Sequence, residues 1–191
     1  MSIPQVFSEH ARVAAQAAEQ LPAILERVVQ AFDTCLAGGH KILACGNGGS
    51  AADAQHLVAE LVGRFREERR ALPAIALNAD TAILTALAND YGYERVFARQ
   101  IEALAHRGDV LVAISTSGSS RNVVHAAQSA RGLGCTVVAL TGESGGQLAA
   151  HADLLIRAPS SVVARIQEMH TLCIHAIAAG LDELLHERTI L

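Results

Sequence analysis

The stretch KILACGNGGSAADAQHLVAE, residues 41–60, decides the fold of this chain. It opens with an apolar run at residues 42–45, breaks at a glycine-rich turn over residues 46–50, and resumes as a helical pattern. A buried strand followed by a glycine turn and a helix leaves backbone N–H groups exposed at the helix N-terminus, where anions bind. The sequence therefore predicts a strand–turn–helix unit that binds a phosphate group.

The helix after this turn also carries ionisable side chains on one side. Asp53, His56 and Glu60 fall within a wedge roughly 60° wide at 100° per residue. An imidazole and a carboxylate four residues apart can hold a metal ion, move a proton, or do both. The same spacing also occurs on solvated helix faces, so the rest of the chain must decide between these interpretations.

Composition narrows the classes of function. The chain has 191 residues, 51% of them hydrophobic, which suits a single domain with a large core over residues 1–191. With a formal charge of −4, one lysine, two tyrosines and no tryptophan, it lacks the basic field and the stacking platform of a protein that binds DNA or RNA directly. No signal peptide or membrane span is predicted, so we expect a cytoplasmic protein without membrane contact.

The four cysteines are far apart and lie in apolar surroundings. No C-x-x-C pair suggests a zinc knot or a redox centre. Reduced thiols buried in the core are therefore expected at Cys35, Cys45, Cys135 and Cys173.

Residues 1–37 form an N-terminal helical segment, interrupted at Pro22 and stopped by Gly38 and Gly39. This segment precedes the first strand and is apolar over much of its surface. We expect it to take part in contacts between subunits of an oligomer.

Further apolar runs alternate with helical patterns along the chain. Strands are predicted at residues 73–77, 109–114, 135–140 and 152–156, with helices between them and a long last helix over residues 162–186. This alternation predicts an α/β fold with a five-stranded parallel sheet flanked by helices on both faces. A polar turn at residues 89–93 and a hydroxyl-rich loop at residues 115–120 are predicted as binding elements.

The last helix holds a polar stripe of Gln167, Thr171 and His175 within an apolar sequence. Such a stripe is costly to bury unless partners await it, although a solvated face or a satisfied core network would also explain it. Gln167 and His175 are separated by about 12 Å of helix rise, so their side chains must converge or serve the sites of different subunits. His170 lies off this stripe and is predicted to be structural.

Together, two loops at helix N-termini and two helices with imidazoles fit an acid/base enzyme that acts on a phosphosugar. Nitrogen and oxygen ligands for a divalent metal ion are available on both helices. These candidate ligands are His56, Glu60, Gln167 and His175.

The motifs of the chain, in their order along the sequence, closely resemble those of the bacterial phosphoheptose isomerases. These enzymes belong to the sugar isomerase (SIS) domain superfamily. The resemblance covers nearly the whole chain. It rests on residues 45–50 with Asp53, His56 and Glu60, on Asn89 and Asp90, on residues 115–118, and on residues 165–168 with His170 and His175.

The resemblance implies a flavodoxin-like three-layer SIS fold and a homotetramer with active sites at subunit contacts. The enzyme would convert sedoheptulose 7-phosphate to D-glycero-D-manno-heptose 7-phosphate, an early step of lipopolysaccharide core synthesis. It implies one zinc ion per subunit, held by His56, Glu60, Gln167 and His175. It also implies sugar phosphate binding by Asn47, Gly48, Gly49, Ser50, Glu60, Asn89, Asp90, Ser115, Thr116, Ser117, Ser120 and Gln167. Ser119 replaces an asparagine found in many relatives, which leaves Ser120 in register.

The same resemblance assigns the catalytic roles. Aldose–ketose isomerisation passes through an enediol and needs a base for the proton on carbon and an acid for the neighbouring oxygen. By resemblance, Glu60 is the base and His175 is the acid.

Three alternatives have to be weighed. The DnaA initiator-associating protein is a tetrameric relative with similar motifs, and that interaction role, with a possible DnaA contact, needs no proton transfer. A phosphosugar-sensing regulatory domain would keep the loops and likewise dispense with Glu60 and His175. A dinucleotide-binding protein fits the loose pattern Gly46-x-Gly48-x-x-Ala51, but no acidic residue is cleanly placed at the end of a second strand.

Overall fold

In the computed structural model, the glycine turn of residues 46–50 joins a strand to a helix. The structure describes residues 2–190, and over residues 187–190 it describes the helical backbone alone. The strands are β1 (Ile42–Gly46), β2 (Ala74–Ala76), β3 (Val110–Ile114), β4 (Thr136–Thr141) and β5 (Leu154–Arg157). The α-helices are α1 (Ile3–Gln20), α2 (Pro22–Ala37), α3 (Gly49–Val62), α4 (Thr81–Tyr91), α5 (Val96–Leu104), α6 (Arg121–Gly132) and α7 (Val163–Ile190). Short 3₁₀ turns occupy Tyr93–Arg95 and Gln147–His151.

The five strands form one parallel sheet in the order β2-β1-β3-β4-β5. Every residue of β1 and β3 is buried, as expected for strands that are covered on both faces. This is the doubly wound arrangement of flavodoxin-like proteins, and the predicted fold class is confirmed.

Side chains alternate between the two faces of the sheet and build two separate cores. Ile42 and Ala44 of β1 point into the core formed with α1, α2, α3 and α7. Leu43 and Cys45 of the same strand point into the core formed with α5 and α6, against which α4 also packs. The helices therefore form one layer on each side of the sheet.

The strand order reverses between β1 and β3. The chain leaves β1 toward α3 on one face, and it leaves β3 toward α6 on the opposite face. A crevice opens between two such diverging loops at the carboxyl edge of the sheet, which is where ligands of open α/β sheets bind. The glycine turn and the hydroxyl-rich loop flank this crevice.

The predicted helical segment at the N-terminus consists of two helices that meet at Leu21, and α2 begins at Pro22 because proline is well tolerated in a first helical turn. The polar turn predicted at residues 89–93 is wrong in part. Helix α4 continues through Asn89 and Asp90 to Tyr91, and it ends only where Gly92 adopts a φ of 81°. No residue before Gly92 breaks the helical pattern.

All four cysteines are free and buried, which confirms the prediction of core thiols. Burial raises the pKa of the thiols of Cys45 and Cys173 to about 12, so both stay protonated at neutral pH. Among the residues that the structure describes, no helix combines the length and the apolar character needed to cross a membrane.

Candidate active site

Two positions of the glycine turn favour glycine, one because of close packing and the other because of its backbone angle. A Cβ atom on Gly46 would lie 2.4 Å from the carbonyl oxygen of Ser50. Gly48 has a φ of 56°, in the left-handed region that glycine adopts without strain. Gly48 and Gly49 are exposed while Ser50 is buried, so the turn presents backbone rather than side chains to the solvent at the start of α3.

The hydroxyl-rich loop forms a compact cluster before α6. The Oγ of Ser115 donates a hydrogen bond to the Oγ of Ser120 at 3.0 Å and lies 3.4 Å from the Oγ of Ser117. The carbonyl of Thr116 accepts a hydrogen bond from the amide of Gly142, which ties the loop to the turn after β4. Three hydroxyl groups therefore cluster just before the N-terminus of α6, where the first backbone N–H groups of a helix lack helical partners.

Gly118 lets this loop lie directly on the next one. Its φ is 62°, and a Cβ atom there would sit 2.0 Å from the carbonyl oxygen of Gly145. Its own carbonyl accepts a hydrogen bond from the amide of Leu148 at 2.8 Å. The loop is thus fixed from behind, and its hydroxyl face stays open.

A bridge of amide side chains crosses the crevice between the two loops. Asn47, after β1, and Asn122, in the first turn of α6, exchange two hydrogen bonds of 2.9 Å through their side-chain amides. The hydroxyl of Tyr93 donates a third hydrogen bond, of 3.1 Å, to the Oδ1 of Asn47. The position of Asn47 is therefore set by two residues far away in sequence.

Asn89 and Asp90 lie exposed in the last turn of α4, and the Nδ2 of Asn89 donates to the Oδ1 of Asp90 at 2.8 Å. The chain continues through Gly92 to Tyr93, so the end of α4 is joined to the bridge across the crevice by three residues. Both side chains are exposed, so a ligand at this end of α4 can reach them.

The imidazoles and the carboxylate predicted to cooperate come together between α3 and α7. The Nε2 of His56 lies 3.0 Å from the Oε1 of Glu60 and 3.2 Å from the Nε2 of His175. All three side chains are partly exposed. We call His56, Glu60 and His175 the open cluster.

The helices α3 and α7 run side by side, and their polar residues meet in sequence. The amide group of Gln167 lies against Gly49, where a Cβ atom would be 2.3 Å from its Nε2. The hydroxyl of Thr171 donates a 2.9 Å hydrogen bond to the Oδ1 of Asp53. His175 follows at the open cluster, so Gln167 lies by the glycine turn, about 10 Å of helix rise from His56.

Asp53 is the most buried ionisable group beside the open cluster. Its Oδ2 is buried without a hydrogen-bond partner. Burial raises the pKa of the Asp53 carboxyl, and the hydrogen bond from Thr171 and the nearby His56 offset part of that rise. The seam between the helices therefore holds an acidic group with a free lone pair.

The donor set of the open cluster fits a divalent metal ion. Two imidazole nitrogens and a carboxylate oxygen lie within 4.8 Å of one another. Tetrahedral zinc with bonds of about 2.0–2.1 Å separates its ligands by roughly 3.3 Å, close to the 3.0 and 3.2 Å that separate the Nε2 of His56 from the other two atoms. The Nε2 of His56 faces both the carboxylate of Glu60 and the Nε2 of His175, and it has only one hydrogen or one lone pair, so without a cation it cannot form a full hydrogen bond to each.

A segment after α3, residues 63–71, covers the outer side of the open cluster. The ring of Phe65 stacks on that of His175, with centroids 5.5 Å apart and an interplanar angle of 28°. Farther along, Arg69 donates to Asp182 of α7 at 2.7 Å and to the carbonyl of Glu60 at 2.7 Å. This segment therefore holds the C-terminal end of α3 against α7.

Sequence reasoning found the residues of the open cluster and both loops, and it predicted that His170 is structural. His170 is fully buried, and its Nε2 lies 3.1 Å from the carbonyl oxygen of Thr141. It missed Asn122, Phe65, Arg69 and Asp182. Their partners lie elsewhere in the chain, and none of them belongs to a local pattern that signals a site.

Comparisons with known proteins agree with this geometry. A family model described as SIS domain matches residues 5–142. The phosphoheptose isomerases of Shewanella denitrificans and Aliarcobacter butzleri are each 50% identical over 186 residues, which cover 96% and 97% of this chain and 95% and 98% of theirs.

Solved structures give the same result. The structure of a phosphoheptose isomerase from Neisseria gonorrhoeae has a TM-score of 0.90 at 44% identity and covers 95% of this chain and 97% of its own. One from Francisella tularensis has a TM-score of 0.92 at 40% identity, with coverages of 95% and 96%.

Proposed function

This chain belongs to the phosphoheptose isomerases of the SIS domain family, and we propose how its residues bind and isomerise the substrate. It is an aldose–ketose isomerase that acts on sedoheptulose 7-phosphate. The observation that carries the assignment of its chemistry is the convergence of Glu60, His56 and His175 from two helices.

The phosphate group binds in the hydroxyl-rich loop, to Ser115, Thr116, Ser117 and Ser120. The clustered hydroxyls and the N-terminus of α6 support this, because both are donors to an anion and no lysine is needed. The sugar hydroxyls meet Asn47, Gly48, Gly49, Ser50, Asn89, Asp90, Glu60 and Gln167. Of these, Asn47, Gly48, Gly49 and Ser50 belong to the turn that flanks the crevice where the strand order reverses.

Each half of the isomerisation needs one proton transfer at carbon and one at oxygen. The Glu60 carboxylate removes a proton from C1 of the ketose while His175 donates a proton to the carbonyl oxygen on C2, which gives the enediol. His175 then takes the hydroxyl proton from O1, and Glu60 returns its proton to C2, so the aldose forms with all atoms balanced. The proximity of both groups to His56 supports these roles.

Zinc is the metal that we propose for the open cluster, with His56, Glu60 and His175 as ligands together with Gln167. When bound, a divalent ion polarises the substrate oxygens and stabilises the negative charge that develops on them. The mixture of imidazole and carboxylate donors supports zinc over magnesium or calcium, which prefer oxygen ligands alone.

Gln167 reaches the open cluster from a neighbouring subunit. On its own helix it lies about 12 Å of rise from His175, and Leu172 between them is half-exposed on the outer face. Two α7 helices that cross antiparallel near Thr171, midway between Gln167 and His175, would place each Gln167 opposite the other subunit's His175. Such a two-fold contact would place the active sites between subunits, and we propose that the subunits form a homotetramer in which the N-terminal helices take part.

We place the product as D-glycero-D-manno-heptose 7-phosphate and the reaction in the cytoplasm, early in lipopolysaccharide core synthesis. The DnaA-associating alternative receives less support, because an interaction protein has no need for an acid/base pair aligned with a metal site. We propose no direct binding of nucleic acid.

The assay that tests the catalytic roles follows aldose formation from sedoheptulose 7-phosphate. We expect Glu60→Gln and His175→Gln each to lower kcat by about 10²–10⁴-fold, because each removes one proton-transfer group. A matched control is His10→Gln, which alters an imidazole 46% exposed and paired with Glu168 away from the open cluster. Wild-type rates in both active-site variants would remove the catalytic assignment.

A complementation assay tests the shared site. Gln167→Ala and His175→Gln subunits are inactive alone, and co-expression regenerates one intact site in each mixed pair. A statistical mixture then recovers about a quarter of wild-type activity. If Gln167 serves its own subunit's cluster, every site carries a lesion and no activity returns.

A further inference from the structure

We infer that Tyr93 and Asn122 are positioning residues that hold the side-chain amide of Asn47 in one orientation, so that it offers a single N–H to an oxygen of the sugar. The inference rests on the proposed function, because it assumes that Asn47 meets the substrate. It adds two residues to the recognition of the sugar.

A count of hydrogen bonds fixes the orientation of the Asn47 amide. Its Oδ1 accepts one bond from the Nδ2 of Asn122 and another from the hydroxyl of Tyr93. Both lone pairs of this oxygen are therefore used. Its Nδ2 donates one hydrogen to the Oδ1 of Asn122, which leaves one N–H of Asn47 for a ligand.

Asn122 is itself held in place. It is buried, and its Oδ1 also accepts a hydrogen bond of 3.0 Å from the backbone amide of Val123. A reversed amide at Asn122 would bring two NH₂ groups together and lose that bond. The buried end of the bridge thus sets the direction of Asn47.

Tyr93 closes the other end of the bridge from the solvent side. Its side chain is 56% exposed, and only its hydroxyl ties it to the glycine turn among the described contacts. Gly92 joins it to the helix end that carries Asn89 and Asp90. The phenol therefore links the helix end to the glycine turn, and it occupies the second lone pair of the Asn47 oxygen that Asn122 has oriented.

The binding cycle uses titration calorimetry with sedoheptulose 7-phosphate, with every variant carried in a Glu60→Gln background to prevent turnover. Tyr93→Phe removes one neutral hydrogen bond and keeps the ring, so we expect the dissociation constant to rise two- to tenfold, in line with the usual strength of such a bond, about 0.5–1.5 kcal/mol. Tyr91→Phe is the control, since Tyr91 is 52% exposed and its ring packs under Arg99.

The decisive comparison is Tyr93→Phe in an Asn47→Ala background. If Tyr93 acts through Asn47, the hydroxyl has no effect once the amide is gone, and the double variant binds as Asn47→Ala alone does. Unchanged binding in Tyr93→Phe, or an effect of the hydroxyl that persists without Asn47, would overturn the inference.

A second readout separates this inference from the proposed function. In the Glu60-containing chain, Tyr93→Phe should raise KM and leave kcat unchanged, because the phenol touches no proton-transfer group. A wild-type chain that binds the sugar phosphate through this bridge but does not isomerise it would refute the proposed function and leave the positioning role intact. An active chain with a normal KM in Tyr93→Phe would do the reverse.

Discussion

Two polar clusters lie along α7 where it contacts α3 and the segment after α3. They differ in whether their polar atoms have hydrogen-bond partners. The open cluster of His56, Glu60 and His175 is partly exposed, and its three ligand atoms face one another with few donors among them. About two turns farther along α7, the pair of Arg69 and Asp182 is buried, with side chains 8% and 4% exposed. The ligand atoms of the first cluster could bind a cation, whereas in the second cluster the guanidinium of Arg69 already neutralises the carboxylate of Asp182.

In the buried pair every polar atom has a partner. Arg69 donates to Asp182 and to the carbonyls of Glu60 and Leu61, which lack helical partners at the end of α3. The other oxygen of Asp182 accepts the backbone amides of Arg66 and Glu67. Burial alone would raise the pKa of Asp182, yet these donors lower it overall. A cluster whose polar atoms all have hydrogen-bond partners is typical of a structural site, whereas unsatisfied ligand atoms are typical of a binding site.

The largest expected effect comes from breaking the saturated pair. Asp182→Ala leaves the buried guanidinium of Arg69 without its counter-charge, and we expect the free energy of unfolding to fall by about 3–5 kcal/mol. Urea denaturation of the metal-free protein measures this loss. Glu183→Ala, at an exposed neighbouring position, is the control and should stay within about 0.5 kcal/mol of wild type.

The double variant Arg69→Met and Asp182→Ala sharpens the interpretation. Because no unpaired charge remains buried, we expect it to be more stable than Asp182→Ala alone. A double variant that loses the sum of the two single effects would mean that the hydrogen bonds to the backbone, rather than the paired charges, hold the helices together.

A smaller effect is expected from filling the open cluster. Zinc at 100 times its dissociation constant should raise the free energy of unfolding by about 2.7 kcal/mol, because it binds the folded chain, and a chelator should reverse the gain. Thermal unfolding with and without zinc measures the shift independently of activity. His56→Gln should abolish the shift and His10→Gln should keep it. An equal shift in both variants would place the metal elsewhere.

His170 differs from His175, which follows five residues later on α7. His170 is fully buried, whereas His175 is partly exposed. Burial lowers its pKa from 6.5 to about 4, despite the hydrogen bond to Thr141. Protonation therefore favours the unfolded chain, so the stability that neutral His170 contributes is complete above pH 6.5 and is lost as the pH falls toward 4.

At pH 5 this linkage costs about 2 kcal/mol relative to pH 7. His170→Gln keeps a donor for Thr141 and cannot titrate, so the variant should lack that part of the acid destabilisation. Denaturation curves at both pH values for both proteins isolate the effect, because all other groups titrate alike. The same pH dependence in the variant would show that His170 is not its source.

Local patterns were enough to predict the strands, the helices and the three residues of the open cluster. Apolar runs, glycine turns and helical spacing are properties of neighbours in sequence, and His56 and Glu60 stand one turn apart. His175 was predicted because a polar stripe in an apolar helix is costly without partners. The end of α4 was misplaced because polar residues also occupy exposed last turns of helices.

Contacts between distant residues were not predictable in this way. Asn47 and Asn122 are 75 residues apart, and Arg69 and Asp182 are 113 residues apart. Asp182 looks like any charged residue of a long helix until the sheet order brings the segment after α3 against it. The side-by-side contact of α3 and α7 likewise explains why Gln167 lies by the glycine turn instead of by its helix neighbour His175.

The smallest expected effect tests the part of the chain that touches both clusters. Phe65 stacks on His175, and four residues later Arg69 pairs with Asp182, so residues 63–71 connect the open cluster with the buried pair.

Phe65→Leu keeps an apolar side chain and removes the ring contact, which is worth about 0.5–1.5 kcal/mol. We expect the zinc dissociation constant to rise two- to tenfold in calorimetric titrations, because the imidazole of His175 loses the stacked ring that orients it. The free energy of unfolding of the metal-free chain should change by less than the Asp182→Ala loss. Weaker zinc binding in Asp182→Ala but not in Phe65→Leu would mean that the helix pair, rather than the ring, sets the geometry of the open cluster.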